Sequence, residues 1–174
     1  MTPYAPTEAE LELAGARLGD ALRARSWRLA TAESSTGGLI GHAITMVPGA
    51  SAYYVGGVIA YSNQAKEVEL SVPVELIAEH GAVSEEVAAS MAHGVRRRFG
   101  VELGVAVTGI AGPEGGREGK PIGTHYVAVS LRGHSERVEQ RIFTHDRDGN
   151  RAAAAMLALE MALAEIQAAT AAER

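Results

Sequence analysis

Residues 27–47 read WRLATAESSTGGLIGHAITMV, and this stretch decides the fold class. The apolar run to Ala32 predicts a short strand, and residues 34–38 supply the small and hydroxyl side chains of a tight turn. Apolar residues then recur at helical spacing until Pro48, which ends the helix. A strand followed by a turn and a helix is the repeating unit of α/β proteins, so we expect an α/β fold.

The remaining segments extend this pattern. Thr7 and Glu10 have the spacing of a capping box, which predicts a first helix that ends near Arg25. We then expect a strand at 53–61, helices from Ser62, Pro73 and Ser84, a strand at 103–108, a glycine-rich loop at 109–123, hairpin strands at 124–131 and 137–143, and a last helix from Asp146 to about Ala168. This order predicts a three-layer α/β/α sandwich with a mixed, partly antiparallel sheet, in one domain over residues 1–174.

Composition excludes several classes of function. A net charge of −5 argues against a nucleic-acid surface, and the run Arg96 to Arg98 is typical of a helix end. No signal peptide or membrane-spanning stretch is expected, so we predict a cytoplasmic protein without membrane contact. The absence of cysteine excludes thiol chemistry, and the six histidines form no close pair, so we expect neither a metal nor a cofactor.

Two glycine-containing turns are candidate ligand sites. Residues 34–38 lie between a strand and a helix, where unpaired N–H groups bind anions, which makes Ser34, Thr36 and Gly37 candidates. The alternative is a capped helix whose glycines allow tight packing. Thr108 and Gly109 leave another strand where open α/β sheets usually bind ligands, and the alternative there is a surface loop that needs glycine for positive φ.

Ser51 and Lys66 are a candidate nucleophile and base, with Tyr61 as a hydroxyl relay between them. A lysine acts as a base only when burial or a neighbouring positive charge lowers its pKa. Without that condition, Lys66 is an ordinary solvated helix residue and Ser51 a helix cap after Gly49.

Five sequence blocks carry a resemblance to a known family. They are residues 31–38 (TAESSTGG), 47–51 (VPGAS), 61–66 (YSNQAK), 79–84 (EHGAVS) and 107–113 (VTGIAGP). In this order they resemble the CinA C-terminal domain family, over almost the whole chain. The resemblance implies an amidohydrolase that converts nicotinamide mononucleotide to nicotinic acid mononucleotide and ammonia in pyridine nucleotide recycling. The alternative is a non-catalytic nucleotide-binding or regulatory module.

The resemblance also implies roles for particular residues. Ser51 matches the nucleophile, Lys66 the general base and Tyr61 the assisting hydroxyl. Ser34 and Thr108 match further active-site positions, and Gly49 lies in the block of the nucleophile. An arginine near residue 147 is implied as well, and we choose Arg147 over Arg151 for the substrate. Because family members are usually oligomeric and this chain begins at its own first helix, we expect a stand-alone homo-oligomer with a small nucleotide as its substrate.

Overall fold

The computed structural model describes residues 4–172. Its helices are α1 (Glu8–Arg25), α2 (Leu39–Thr45), α3 (Asn63–Leu70), α4 (Val74–His80), α5 (Glu85–Phe99) and α6 (Arg147–Ala172), with a 3-10 turn at Ala50–Ala52. Its strands are β1 (Leu29–Glu33), β2 (Tyr54–Ile59), β3 (Leu103–Gly109), β4 (Thr124–Leu131) and β5 (Arg137–Ile142).

The five strands form one mixed sheet in the order β2, β1, β3, β4, β5. Strand β1 is parallel to both β2 and β3, whereas β4 pairs antiparallel with β3 and β5. The carboxyl ends of the three parallel strands therefore lie at the same edge of the sheet. The predicted mixed, partly antiparallel sheet is confirmed.

Two hydrophobic cores cover the two faces of the sheet. One core joins α1, α2 and α6 to the side chains of Leu29, Val105 and Val127. The other joins α3, α4 and α5 to Ala30, Ala106 and neighbouring residues of the opposite face. Strands β1 and β3 are buried along almost their whole length because helices cover both of their faces. This arrangement is the three-layer α/β/α architecture that the sequence predicts.

Local capping explains where three of the helices begin. The Thr7 hydroxyl accepts a hydrogen bond from the Glu10 N–H, and the Glu10 carboxylate accepts one from the Thr7 N–H. Ser62 and Ser84 accept equivalent bonds at the starts of α3 and α5. These side chains satisfy N–H groups that a helix leaves unpaired at its first turn. The predicted boundaries at these three residues are confirmed.

Helix α6 corrects the expectation that no stretch of the chain is long and apolar enough to span a membrane. By length and composition alone, its 26 residues are apolar enough to cross a membrane, with a mean hydropathy of 1.4 over the most apolar window. Half of that window is buried inside the protein, against α1 and the sheet. Its many alanines give the helix a small apolar surface that packs closely on both neighbours, which is typical of a core helix.

Candidate active site

A pocket of about 170 Å³ opens where the carboxyl ends of the parallel strands meet. Ser34 directly follows β1, Thr108 lies near the end of β3, and Lys66 comes from α3, which follows β2. Its lining residues are Ser34, Ser35, Tyr61, Asn63, Lys66, Ala82, Val83, Thr108, Gly109, Ala111 and Arg147. The pocket thus occupies the position in which open α/β sheets usually bind ligands.

The Lys66 amine lies at the buried side of this pocket, and the residue is only 1% exposed. Its Nζ lies 3.1 Å from Ser34 Oγ, 2.8 Å from the Ala60 carbonyl and 3.4 Å from the Tyr61 carbonyl. Burial lowers the pKa of Lys66 to about 8. Within residues 4–172 no carboxylate forms an ion pair with this amine.

These three contacts accommodate both protonation states of the amine. An uncharged Nζ has two N–H donors and one lone pair. As an ammonium, Nζ donates to Ser34 Oγ and to both carbonyls. After it loses one proton, the two carbonyls still accept its N–H groups and its lone pair is free to accept from the Ser34 hydroxyl. In that state the Ser34 O–H donates to Lys66, and this is the arrangement that a serine and its general base require.

Ser51 lies at the other end of β2. The 3-10 turn that carries it precedes the strand, whereas Lys66 follows the strand. Five residue steps at about 3.3 Å each separate the two ends of β2 by about 17 Å. Ser51 is exposed, and Gly49 lies in the same turn with a φ of 80°. The structure therefore does not bring Ser51 or Gly49 to Lys66 within one chain, because β2 is extended between them.

Tyr61 lines the pocket, but its hydroxyl does not join the serine to the lysine. Arg147 Nη2 donates to the Tyr61 hydroxyl at 3.4 Å, and Lys66 contacts only the Tyr61 carbonyl. The phenol ring points towards solvent, and the residue is 64% exposed. The predicted hydroxyl relay is therefore absent from the described contacts. The Tyr61 carbonyl instead accepts a hydrogen bond from Lys66 Nζ, and the residue lines the pocket.

Glu33 organises the turn between β1 and α2, and the sequence analysis missed it. Its carboxylate is 2% exposed and accepts hydrogen bonds from Thr36 Oγ1 at 2.7 Å, Gly38 N at 3.0 Å, Ile40 N at 3.1 Å and Gly41 N at 2.9 Å. A negative charge at a helix N-terminus is favourable. The signal was available in the sequence, since an acidic residue directly before a hydroxyl- and glycine-rich turn is a candidate cap.

The hydrogen bonds within this turn limit the anion-binding site predicted for residues 34–38. Of the N–H groups in this range, that of Gly38 donates to the carboxylate of Glu33, that of Gly37 to the Ser34 carbonyl and that of Ser34 to the Val107 carbonyl. Thr36 is fully buried and Gly37 adopts a φ of 62°, and neither residue lines the pocket. Of the three residues proposed in this turn, only Ser34 lies at the pocket.

Thr108 and Gly109 lie at the pocket as predicted from the sequence. The Thr108 hydroxyl donates to the Ala82 carbonyl at 2.8 Å, which ties the end of β3 to the segment before α5. A Cβ atom at Gly109 would overlap the ring of His125 on β4. Gly109 is therefore required by close packing between two strands.

Arg147, and not Arg151, lines the pocket. Arg147 donates to the Gly112 carbonyl at 2.5 Å, so its guanidinium lies between the glycine-rich loop and Tyr61. Arg151 donates to the Thr36 carbonyl at 3.0 Å and contacts Asp148 at 3.2 Å. Arg151 therefore contacts the turn that follows β1 and does not line the pocket.

Lys120 also holds the segments around the pocket together, and no sequence motif predicted this role. Lys120 Nζ donates to the carbonyls of His80 at 2.9 Å and Val83 at 2.6 Å. These bonds tie the glycine-rich loop to the segment that also accepts the bond from Thr108.

Across residues 4–172, no cluster of three or more histidine or carboxylate side chains could hold a metal ion.

The family of the chain follows from its sequence as a whole. A sequence model of the CinA C-terminal domain matches residues 12–166. The chain belongs to the CinA C-terminal domain family. A CinA-like protein from Salinibacter ruber is 53% identical over 146 residues, which are 83% of this chain and 35% of that protein. A putative competence-damage inducible protein from Moorella thermoacetica is 49% identical over 75% of this chain and 31% of its own length. The chain therefore spans about a third of the length of these curated relatives.

Solved CinA structures share the fold over nearly the whole chain. A competence/damage inducible protein from Agrobacterium tumefaciens matches with a TM-score of 0.87 and 36% identity, covering 95% of this chain and 99% of that one. A CinA superfamily protein from Klebsiella pneumoniae matches with a TM-score of 0.86 and 36% identity, covering 90% and 98%. The α/β architecture described above is thus the architecture of CinA superfamily proteins.

Proposed function

We propose that this CinA-family protein is an amidohydrolase that converts nicotinamide mononucleotide to nicotinic acid mononucleotide and ammonia. The contact between Lys66 Nζ and Ser34 Oγ at 3.1 Å, in a pocket at the carboxyl edge of the sheet, carries the proposal. Because the pKa of Lys66 is lowered to about 8, a useful fraction of this amine is neutral near neutral pH. The substrate in this proposal is taken from the sequence resemblance. The choice of Ser34 as the serine and Lys66 as the base rests on the contact between them.

The reaction balances with these two groups and water. Neutral Lys66 removes the proton of Ser34 while the serine oxygen attacks the carboxamide carbon. The resulting Lys66 ammonium returns that proton to the leaving nitrogen, which departs as ammonia and leaves an ester on Ser34. Lys66 then takes a proton from a water molecule as its oxygen attacks the ester carbon. Lys66 returns that proton to the leaving Ser34 oxygen, which releases the carboxylic acid and restores the free serine and the neutral base.

Ser35 is the nearest candidate to stabilise the oxyanion. Its hydroxyl is buried, lines the pocket and has no hydrogen-bond partner within the described residues. A buried hydroxyl without a partner is costly, and a developing negative charge in the pocket would satisfy it. The chain thus offers a nucleophile and a donor at two consecutive positions.

Arg147 is the candidate for the substrate phosphate. Its guanidinium lines the pocket and has no carboxylate partner among the described ion pairs. Arginine binds phosphate through parallel N–H donors. This assignment prefers a side chain that lines the pocket to the turn after β1, where the Gly38 N–H already donates to Glu33.

Ammonia release from nicotinamide mononucleotide tests the proposal. The purified protein is assayed beside Ser34→Ala and Lys66→Met, with Ser135→Ala as a matched control in an exposed loop. We expect Ser34→Ala and Lys66→Met to lose at least about 100-fold in kcat, since both groups act in the reaction. The Ser135→Ala control should keep the wild-type rate.

Two results would overturn the proposal. A Lys66→Met variant that folds and turns over at the wild-type rate would remove the lysine from the mechanism. A wild-type protein that binds the nucleotide and releases no ammonia would identify a nucleotide-binding module instead. Nicotinamide and nicotinamide riboside serve as further substrates, and equal rates on all three would remove the role given to Arg147.

A further inference from the structure

Three consecutive arginines at the end of α5 have different partners. Arg96 donates to the Ser130 hydroxyl on β4 at 2.9 Å, and Arg98 pairs with the Glu69 carboxylate of α3 at 2.7 Å. Across residues 4–172, the exposed Arg97 side chain takes part in no hydrogen bond or ion pair. The run therefore does more than complement a helix end, because two of its arginines hold neighbouring elements and one guanidinium is left for another partner.

Arg97 lines a groove of about 530 Å³ between the end of α3 and α5. Gly94 allows the close approach of the two helices, because a Cβ atom there would overlap the Leu70 carbonyl oxygen. Of the described residues, none lines both this groove and the pocket of Lys66. The volume of the groove lies in the usual range for small-molecule sites, which is about 300 to 1,000 Å³.

Several hydrogen-bond donors in the groove are unused by the protein. Ser71 and Ser90 line it, and neither hydroxyl forms a hydrogen bond within residues 4–172. His93 lines it as well, and its ring contacts Glu136 through Nδ1 at 2.9 Å, which leaves Nε2 for a ligand. A guanidinium, two hydroxyls and an imidazole nitrogen suit a ligand group with several acceptor oxygens.

The charges in the groove favour an anion. Glu69 is the acidic residue among those that line it, and its ion pair with Arg98 balances its charge. The guanidinium of Arg97 then gives the groove a net positive charge, although the whole chain has a net charge of −5. Among the described residues that line the groove there is no Phe, Tyr or Trp on which a nucleobase could stack. These features favour a polar anion over a base.

We propose that this groove binds a small phosphorylated molecule by its phosphate group, at a site separate from the catalytic pocket. The two terminal nitrogens of Arg97 donate to two phosphate oxygens, which is the geometry that makes arginine effective in phosphate binding. The hydroxyls of Ser71 and Ser90 donate to the remaining oxygens. The rest of the molecule occupies the volume that the phosphate leaves free. This site does not depend on the proposed function.

A ligand in the groove contacts the helix that carries Lys66. Ser71 ends α3, and its N–H donates to the Glu67 carbonyl at 3.1 Å. The next residue, Val72, donates its N–H to the Lys66 carbonyl at 3.2 Å. The segment that forms one wall of the groove is thus bonded to the backbone of Lys66, while the Lys66 amine points into the other pocket.

Backbone amide NMR signals of the ¹⁵N-labelled protein test the site. Ribose 5-phosphate is the probe, inorganic phosphate is the free-ion probe and ribose is the uncharged control. We expect ribose 5-phosphate to shift the signals of Ser71 and Gly94 saturably, with a Kd of about 1 mM or lower. Inorganic phosphate should bind more weakly, because it fills less of the groove, and ribose should cause no saturable shift.

Two matched arginine variants test the role of the guanidinium. Arg97→Ala should weaken the binding of ribose 5-phosphate by at least about tenfold through the loss of charged hydrogen bonds. Arg17→Ala is the control, since Arg17 is also exposed and has no side-chain partner within residues 4–172. It lines a different groove, beside Glu10 and Glu160, and its loss should leave the Kd unchanged.

Three results would overturn the proposal. The first is the absence of a saturable shift at Ser71 and Gly94 with ribose 5-phosphate up to about 10 mM. The second is an unchanged Kd in Arg97→Ala. The third is inorganic phosphate that binds as tightly as ribose 5-phosphate, which would identify a site for the free ion.

Binding in the catalytic pocket is followed separately. The signal of Gly109 reports on that pocket, and Arg147→Ala should reduce its shift without changing those of Ser71 and Gly94. If the protein releases no ammonia, the proposed function fails and the shifts at Ser71 and Gly94 still decide the groove. If those shifts are absent and ammonia is released, the groove site fails and the proposed function stands.

Discussion

At the scale of single residues, the state of the Lys66 amine decides the chemistry. A buried ammonium without a carboxylate is costly, so its environment favours the neutral form. The two backbone carbonyls hold the amine in place but bring no full negative charge. The site thus keeps a base that an exposed lysine at neutral pH cannot provide.

The pH dependence of the rate follows from this pKa. We expect kcat/KM to rise about tenfold per pH unit below pH 8 and to level off above about pH 8, as Lys66 loses its proton. A series of rates from pH 6 to 10 measures this. A rate that falls as the pH rises through 8 would show that Lys66 acts in its charged form.

The same group links stability to pH. Below about pH 8 the folded chain carries a buried charge, and between about pH 8 and the ordinary value of 10.5 only the unfolded chain binds the proton. The free energy of unfolding should therefore rise by about 1 to 3 kcal/mol across that window, relative to Lys66→Met. Urea titrations of both proteins at pH 7, 9 and 10.5 measure it, and parallel curves would contradict the assigned pKa.

Glu33 holds the turn that begins with Ser34, the proposed nucleophile. Glu33→Gln replaces a carboxylate oxygen by an N–H₂ group that faces existing donors, so we expect a loss of about 2 to 4 kcal/mol in stability. Ser34 follows directly in the chain, and kcat should fall as well. Glu75→Gln, on the exposed side of α4, is the control. Unchanged stability in Glu33→Gln would mean that its four hydrogen bonds contribute little.

At the scale of elements, local sequence was sufficient to predict helices and strands. Thr7, Ser62 and Ser84 begin helices because their hydroxyls cap them, and this is a contact between near neighbours in sequence. The partners of Lys66 could not be predicted in this way. They depend on which strand ends meet in the sheet, and that depends on the strand order. Ser34 is 32 residues from Lys66 and touches it, while Ser51 is closer in sequence and lies beyond the other end of β2.

The first turn of α6 brings Arg147 to the pocket. We expect Arg147→Ala to raise KM for nicotinamide mononucleotide by about tenfold to a hundredfold through lost charged hydrogen bonds, with little change for the riboside. Arg141→Ala, on the exposed edge of β5, is the matched control. An equal increase for nucleotide and riboside would show that Arg147 does not bind the phosphate.

The Ser62 cap positions the helix that carries Lys66. Its hydroxyl accepts from the Ala65 N–H at 3.0 Å. Ser62→Ala should cost about 1 kcal/mol and lower the melting temperature by about 2 to 4 °C. Ser135→Ala should leave the melting temperature unchanged, and an unchanged Ser62→Ala would show that the cap is not needed.

At the scale of the whole molecule, the sheet places the pocket at one end and the 49–52 turn at the other. Packing on both faces fixes this separation, because β1 and β3 are buried between two helical layers. Among residues 4–172, the hydroxyl within hydrogen-bond distance of Lys66 Nζ is therefore that of Ser34. The family resemblance names Ser51 and the geometry names Ser34, and an acylated residue would distinguish them.

The most direct test is to identify the serine that carries the acyl group. The protein is mixed with nicotinamide mononucleotide, quenched in acid within milliseconds, digested and mapped by mass spectrometry. The chain has no cysteine that could compete for the adduct. We predict an ester on Ser34. An ester on Ser51 would contradict the assignment and remove Ser34 as the nucleophile.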